Sequence, residues 1–182
     1  MKVTATELPG VLVLEATAFR DARGLFYESF NQRAFDEAVG RRVEFVQDNH
    51  SCSKRGVLRG LHFQLPPHAQ GTRVRVVRGS AFDVVVDIQR GSPTFRRWLG
   101  VTLDAEGQRQ LWIPAGFAHG FMALHDDTVF LYKTTDFYAK DSERSMLWSD
   151  PDVAIEWPDM GAPPLLAAKD AAAPVLAQAD LF

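Results

Sequence analysis

Cysteine is almost absent from this chain: one residue of 182, Cys52. A lone thiol closes no internal disulfide, makes no redox pair and gives no thiolate zinc site, and it suits a reducing cytosol. Long apolar runs are missing too. Val84-Val85-Val86 stops at Asp87, far short of the roughly 18 uninterrupted apolar residues of a membrane span. Glu7, Pro9 and Gly10 stand where a secretory signal would carry its apolar stretch, so a cytoplasmic protein is expected. Neither sign of charge dominates, with Lys plus Arg at 20, Asp plus Glu at 23 and a net charge of −3. Wholesale binding to nucleic acid or to an anionic membrane is therefore not expected, and an anionic ligand has to be held by a local basic cluster. There is no internal repeat and no interpretable low-complexity tract.

What is present is the makeup of one folded domain spanning residues 1–182, with 46% hydrophobic and 24% charged residues. Short segments rich in Val, Phe, Leu and Tyr recur about every ten residues between Gly, Pro, Asp and Asn, the pattern of a sandwich or barrel. The strands expected are Val11–Ala16, Leu25–Phe30, Phe45–His50, Leu58–Phe63, Arg73–Arg78, Ala81–Ile88, Arg97–Leu103, Gln110–Ile113, Phe121–Leu124 and Thr128–Thr134. Arg78-Gly79-Ser80 reads as a hairpin-like turn. Asn31–Val39 is the main helix candidate, capped by Asn31 with an apolar stripe of Ala34, Phe35 and Ala38. About ten strands in this length point to an all-β jelly-roll barrel with short accessory helices. From about residue 159 the Ala- and Pro-rich GAPPLLAAKDAAAP predicts an irregular or helical segment lying over the body.

Five histidines, His50, His62, His68, His119 and His125, invite a metal hypothesis in a β-barrel. The spacing opposes it, because His62 has neither a second His two residues on nor a Glu shortly after, and His119 stands alone. A hydrogen-bonded structural imidazole is the ordinary reading of any one of them. His62 rises above it through Arg59-Gly60-Leu61-His62, a base beside a guanidinium suited to phosphate. Strict alternation puts Arg59 and His62 on opposite faces, so a shared ligand needs a bulge, and Gly60 is the place for one. By pattern alone Arg23 is a turn charge and Tyr132 a core tyrosine with its hydroxyl satisfied. Tyr138 is either a stacking surface or a packed loop residue, Glu143 and Lys169 are surface charges, and Asp170 is a helix cap.

Taken in order, the motifs resemble the dTDP-4-dehydrorhamnose 3,5-epimerase family of cupin-type sugar-nucleotide epimerases, nearly end to end. They are Asp21 to Glu28, Phe45 to Ser51, Gly56 to Gln64, Val76 to Gly79 with Phe82-Asp83-Val84, Pro114 to Phe121, Leu131-Tyr132-Lys133, and Ser149-Asp150-Pro151 with Trp157-Pro158. The resemblance implies a cupin double-stranded β-helix, a homodimer, no metal and no cofactor. Its implied substrate is dTDP-4-dehydro-6-deoxy-D-glucose, inverted at C3 and C5. It implies His62 as proton acceptor, Asp170 as the carboxylate that orients it, with Asp83 a second candidate, and Tyr132 as proton donor. Arg23, Glu28, Gln47, Asp48, Asn49, Arg59, His119, Glu143 and Lys169 match substrate contacts, and Tyr138 matches the ring that stacks on thymine. One departure is Thr72, where the family usually has a lysine near the reacting sugar. It makes a relative acting at one carbon the alternative expectation, ahead of a metal-dependent cupin enzyme or a non-catalytic sugar-binding barrel.

Overall fold

The computed structural model describes every residue from Met1 to Phe182. Its strands are β1 (Lys2–Ala5), β2 (Leu12–Glu15), β3 (Ala18–Asp21), β4 (Gly24–Tyr27), β5 (Gln47–Ser53), β6 (Leu58–Gln64), β7 (Thr72–Arg78), β8 (Ser80–Asp87), β9 (Trp98–Asp104), β10 (Arg109–Ile113), β11 (Phe117–Ala123), β12 (Thr128–Thr134) and β13 (Glu143–Ser145). Helix α1 (Gln32–Val39) lies between β4 and β5, and α2 (Ala168–Ala171) sits in the tail. Two antiparallel sheets face each other as a jelly roll, ordered β1-β2-β10-β7-β12-β5 and β13-β6-β11-β8-β9, and β3–β4 stands apart as a hairpin.

Alternation builds the interior. Val74 and Val76 of β7, Ala81 and Val85 of β8, Leu111 and Ile113 of β10, and Phe130 of β12 point inward and pack with Phe117 and Phe121 of β11 into one core. The outer face of the five-stranded sheet is apolar as well. Leu61, Val84, Val86 and Ala118 are buried there beneath Met146, Val153, Leu176 and Ala179 of the later chain. Asp150 pins that cover, accepting from the backbone N–H of Leu176 at 2.6 Å and of Val153 at 3.1 Å. On the outer face of the other sheet, α1 buries Phe35 against Trp112, with ring centroids 5.2 Å apart and edge-on. The Asn31 cap forms as expected, its side chain accepting from Ala34 N–H.

Several expectations are corrected. Arg78-Gly79-Ser80 is a corner, not a hairpin, because β7 and β8 lie in different sheets; Gly79 takes φ +71°, and a Cβ there would meet Thr128 Oγ1 at 2.7 Å. β5 extends to Ser53 with a polar or small side chain at every position, because one face lines a cavity and the other is exposed. β11 starts at Phe117, not Phe121; its His119-Gly120 centre hides the apolar pattern. The short strands β1, β3 and β13 were not expected. Asp170 is no cap either: the N-cap of α2 is Ala167, and Asp170 lies buried inside the helix.

Candidate active site

Between the sheets opens a cavity of about 350 Å³, lined by β5, β6, β7, β10, β11, β12, β13 and α2. Arg59 and His62, three residues apart, both face it. A register shift in the β6–β11 ladder makes this possible: His62 pairs with His119, but Arg59 pairs with Phe121. The ladder breaks where two glycines meet. A Cβ on Gly60 would stand 2.6 Å from Gly120 Cα, and one on Gly120 2.7 Å from the Arg59 carbonyl. The bulge anticipated at Gly60 is therefore present.

His62 Nε2 lies 2.7 Å from Asp170 Oδ1, delivered by α2. Asp170 is buried and the imidazole is about a third exposed, so one end of the ring is fixed and the other meets the cavity. Asp83 does not serve His62. It lies on β8 against His119, with its two oxygens 3.1 and 2.9 Å from His119 Nε2. The cavity thus holds two carboxylate–imidazole pairs, their histidines side by side on adjacent strands.

Tyr132 shares the cavity, half-buried on the inner face of β12. Burial pushes its phenol above the ordinary tyrosine value; the charges of Arg59 and Lys169 oppose the rise and Glu143 adds to it. At neutral pH it keeps its proton. At the rim, Glu143 accepts from Lys169 Nζ at 2.9 Å and from Tyr138 Oη at 3.0 Å. Burial alone would raise the Glu143 carboxyl, but those two bonds, with the charges of Lys169 and His62, outweigh it and hold the pKa below the usual range. Tyr138 is held from behind by Gln47 Oε1, which accepts its backbone N–H at 3.0 Å, while Gln47 itself donates to Asn49 Oδ1. Arg59 donates through Nε to Ser53 Oγ at 3.1 Å. Thr72 lines the cavity, and Arg73 turns to the outer face, donating to the Ser29 carbonyl beneath Phe30.

The cavity therefore gathers His62, Asp170, Tyr132, Arg59, Thr72, His119, Tyr138, Glu143 and Lys169 from a stretch of more than a hundred residues. Gln47 and Asn49 lie just behind the rim. Three expected contacts fall outside it in the single chain. Asp48 is on the outer face by strand parity, ion-paired to Lys133 at 2.7 Å. Arg23 is at the β3–β4 tip, almost wholly exposed and bonded to Asp21. Glu28 is exposed, accepting from Asn31 Nδ2 at 3.2 Å.

Sequence reasoning passed over Gln64, a buried side chain that donates to the His68 and Phe137 carbonyls and accepts from Ala139 N–H, fixing the segment that carries Tyr138. Its inward parity with His62 was the available signal. No three His, Cys, Asp or Glu side chains converge as a metal site. No helix is long and apolar enough to cross a membrane.

A family model described as dTDP-4-dehydrorhamnose 3,5-epimerase matches residues 5–178. A protein of that name from Shigella flexneri is 58% identical over 182 residues, covering 100% of this chain and 99% of its own. One from Pseudomonas aeruginosa is 56% identical, with the same coverage. Among solved structures, the dTDP-6-deoxy-D-glucose-3,5-epimerase of Legionella pneumophila Philadelphia 1 in complex with dTDP-4-keto-L-rhamnose superposes with a TM-score of 0.94. It is 47% identical and covers 98% of this chain and 94% of that one.

Proposed function

The chain belongs to the dTDP-4-dehydrorhamnose 3,5-epimerase family, and from the chemistry its cavity offers we propose that it inverts C3 and C5 of dTDP-4-dehydro-6-deoxy-D-glucose to give dTDP-4-dehydro-L-rhamnose. The observation that carries the reading is a carboxylate-backed imidazole, His62–Asp170, in one cavity with a protonated phenol, Tyr132. The C4 ketone of such a sugar acidifies both neighbouring carbons and serves as the electron sink, so the chemistry calls for no cofactor. His62 takes the C3 or C5 proton, Asp170 orients the ring and stabilises its charge, and Tyr132 returns a proton to the opposite face.

Arg59 holds the diphosphate, Tyr138 stacks on the base, and His119, Glu143 and Lys169 contact the sugar nucleotide, with Gln47 and Asn49 supporting the rim. The alternative of a single-carbon epimerase, raised by Thr72, is not favoured, because full-length relatives at 56–58% identity carry the double-epimerase name.

The working form is a homodimer. Two observations support it: the β3–β4 hairpin exposes Phe19 at 63% and Phe26 at 70%, and the same hairpin and its exit carry Arg23 and Glu28 away from their own cavity. A second copy laying its hairpin over the rim would supply both residues to the ligand. The exposed free thiol of Cys52 fits the reducing cytoplasm as the compartment.

Incubation of the sugar nucleotide in deuterated water, with the label read at each carbon, tests the reaction. Deuterium at both C3 and C5 with formation of the L-sugar is expected. Label at one carbon alone, or none, overturns the reading.

A further inference from the structure

The second carboxylate–imidazole pair is not required by the fold. Asp83 is wholly buried on the inner face of β8, in line with the core residues Ala81 and Val85. Both of its oxygens address one atom, His119 Nε2. Apolar side chains of similar volume hold a core at least as well as a buried charged pair. Burial raises the Asp83 carboxyl above its usual range, and the charge and hydrogen bond of His119 only partly offset this. The gain lies at the other end of the ring. His119 lines the cavity beside His62 on the neighbouring strand, and its ring lies stacked near Phe130 at 6.1 Å. With Nε2 engaged by Asp83, Nδ1 is the nitrogen left for a ligand.

We propose that Asp83 is a positioning residue that turns His119 Nε2–H into the core and stabilises the imidazolium by its charge, so that Nδ1–H donates to the C4 oxygen as the enolate forms. This rests on the epimerase reading. When His62 takes the C3 or C5 proton, the C–H electron pair becomes the enolate double bond and the carbonyl pair moves onto oxygen. His119 donates a hydrogen bond to that oxygen without losing its proton, and the pair returns to carbon on reprotonation. The titratable groups around His119 are Asp83 of β8, Arg59 and His62 of β6, Tyr132 of β12, Glu143 of β13, and Lys169 and Asp170 of α2; Asp83 is the one bonded to it.

The test uses Asp83→Asn, which keeps the shape and an acceptor, and Asp83→Leu, which keeps the core filled. Both are read by steady-state kinetics, dTDP affinity, thermal melting, and the nitrogen chemical shifts of His119 in the full-length protein. A cooperative melt in both variants, with Asp83→Asn closer to wild type than Asp83→Leu, dTDP affinity within twofold, and kcat lowered about ten- to a hundredfold with little change in KM are expected. The His119 nitrogen shifts should move in both variants, because the ring has lost the carboxylate that fixes Nε2–H. A kcat within twofold of wild type in either folded variant, or unmoved His119 shifts, overturns the proposal. Wild-type protein that moves no solvent label into the sugar overturns the epimerase reading instead, and the His119 shifts still decide whether Asp83 governs the ring.

Discussion

His62 and Asp170 are 108 residues apart in the chain and 2.7 Å apart in the fold. Their meeting makes the tail part of the site, because α2 is tied to the barrel through the Val57–Leu165 bridge and the Leu58 N–H to Leu165 carbonyl bond at 3.0 Å. His62→Asn should lower turnover roughly a hundredfold to ten-thousandfold, the ordinary range for loss of a general base, with melting and dTDP affinity little changed. Asp170→Asn should act in the same direction but less severely, since the base remains and only its orientation and charge support are lost. Unfolding of His62→Asn, or near-normal turnover, would mean that the imidazole is structural.

Tyr132→Phe removes the phenolic proton and leaves the ring against Phe130. Because burial holds that phenol above its ordinary pKa, wild-type Tyr132 keeps its proton across the neutral range, and the variant has none to give at that position. Solvent exchange at the abstracted carbon should persist while net inversion falls at least tenfold. Equal loss of exchange and inversion in the deuterium experiment would assign Tyr132 to binding.

The barrel was legible in the sequence because its core strands are rich in apolar residues: Val74 and Val76 of β7 alternate with Arg73 and Arg75, and β8 is an almost continuous apolar run because both of its faces are buried. β5 was harder, since Ser51 lines the cavity and Gln47 and Asn49 stand behind its rim, where polar side chains replace a core and break the usual contrast between faces. Family motifs located His62, Tyr132 and Asp170, but periodicity could not join β6 to a four-residue helix in an alanine-rich tail. The choice between Asp83 and Asp170 as partner of His62 depended on strand order, because β11 lies between β6 and β8 and places His119 within reach of Asp83. Strand parity already separates Asp48 from its neighbours Gln47 and Asn49, a signal that the motif match overrode.

At the nucleotide end, Arg59→Ala should weaken dTDP itself as well as the sugar nucleotide, by about 1.5–3 kcal/mol or roughly ten- to a hundredfold. Tyr138→Ala should weaken binding through the base, so its effect is the same for dTDP and for its sugar conjugates. Calorimetry with dTDP distinguishes the two roles, and an unchanged affinity would remove the residue concerned from the site.

The Glu143 clamp predicts a pH dependence of stability. Its carboxyl titrates lower in the folded chain than in the unfolded one, so the stability it adds is present above the unfolded value, about 4.3, and is lost as pH falls through the lower folded value. Glu143→Gln should therefore be less stable than wild type near pH 7, by about 0.2–1 kcal/mol as befits a partly exposed pair, and the gap should close in acid. Urea titrations at a series of pH values check the sign; a gap that widens in acid would contradict it.

Thr72 lies on the inner face of β7, opposite Ile113 of β10 and Thr134 of β12, where its side chain reaches the cavity. A lysine at this position would add a cation beside the developing enolate, a contribution of up to a few kcal/mol where a single oxyanion donor is concerned. If charge at the enolate limits the wild-type rate, Thr72→Lys should raise turnover about tenfold or more and increase the share of product labelled at both C3 and C5. Deuterium labelling of both proteins under the same conditions checks this. If wild type already labels the two carbons at comparable rates and Thr72→Lys gains nothing, the enolate is served by donors already in the cavity, and the missing cation sets neither the rate nor the number of inversions.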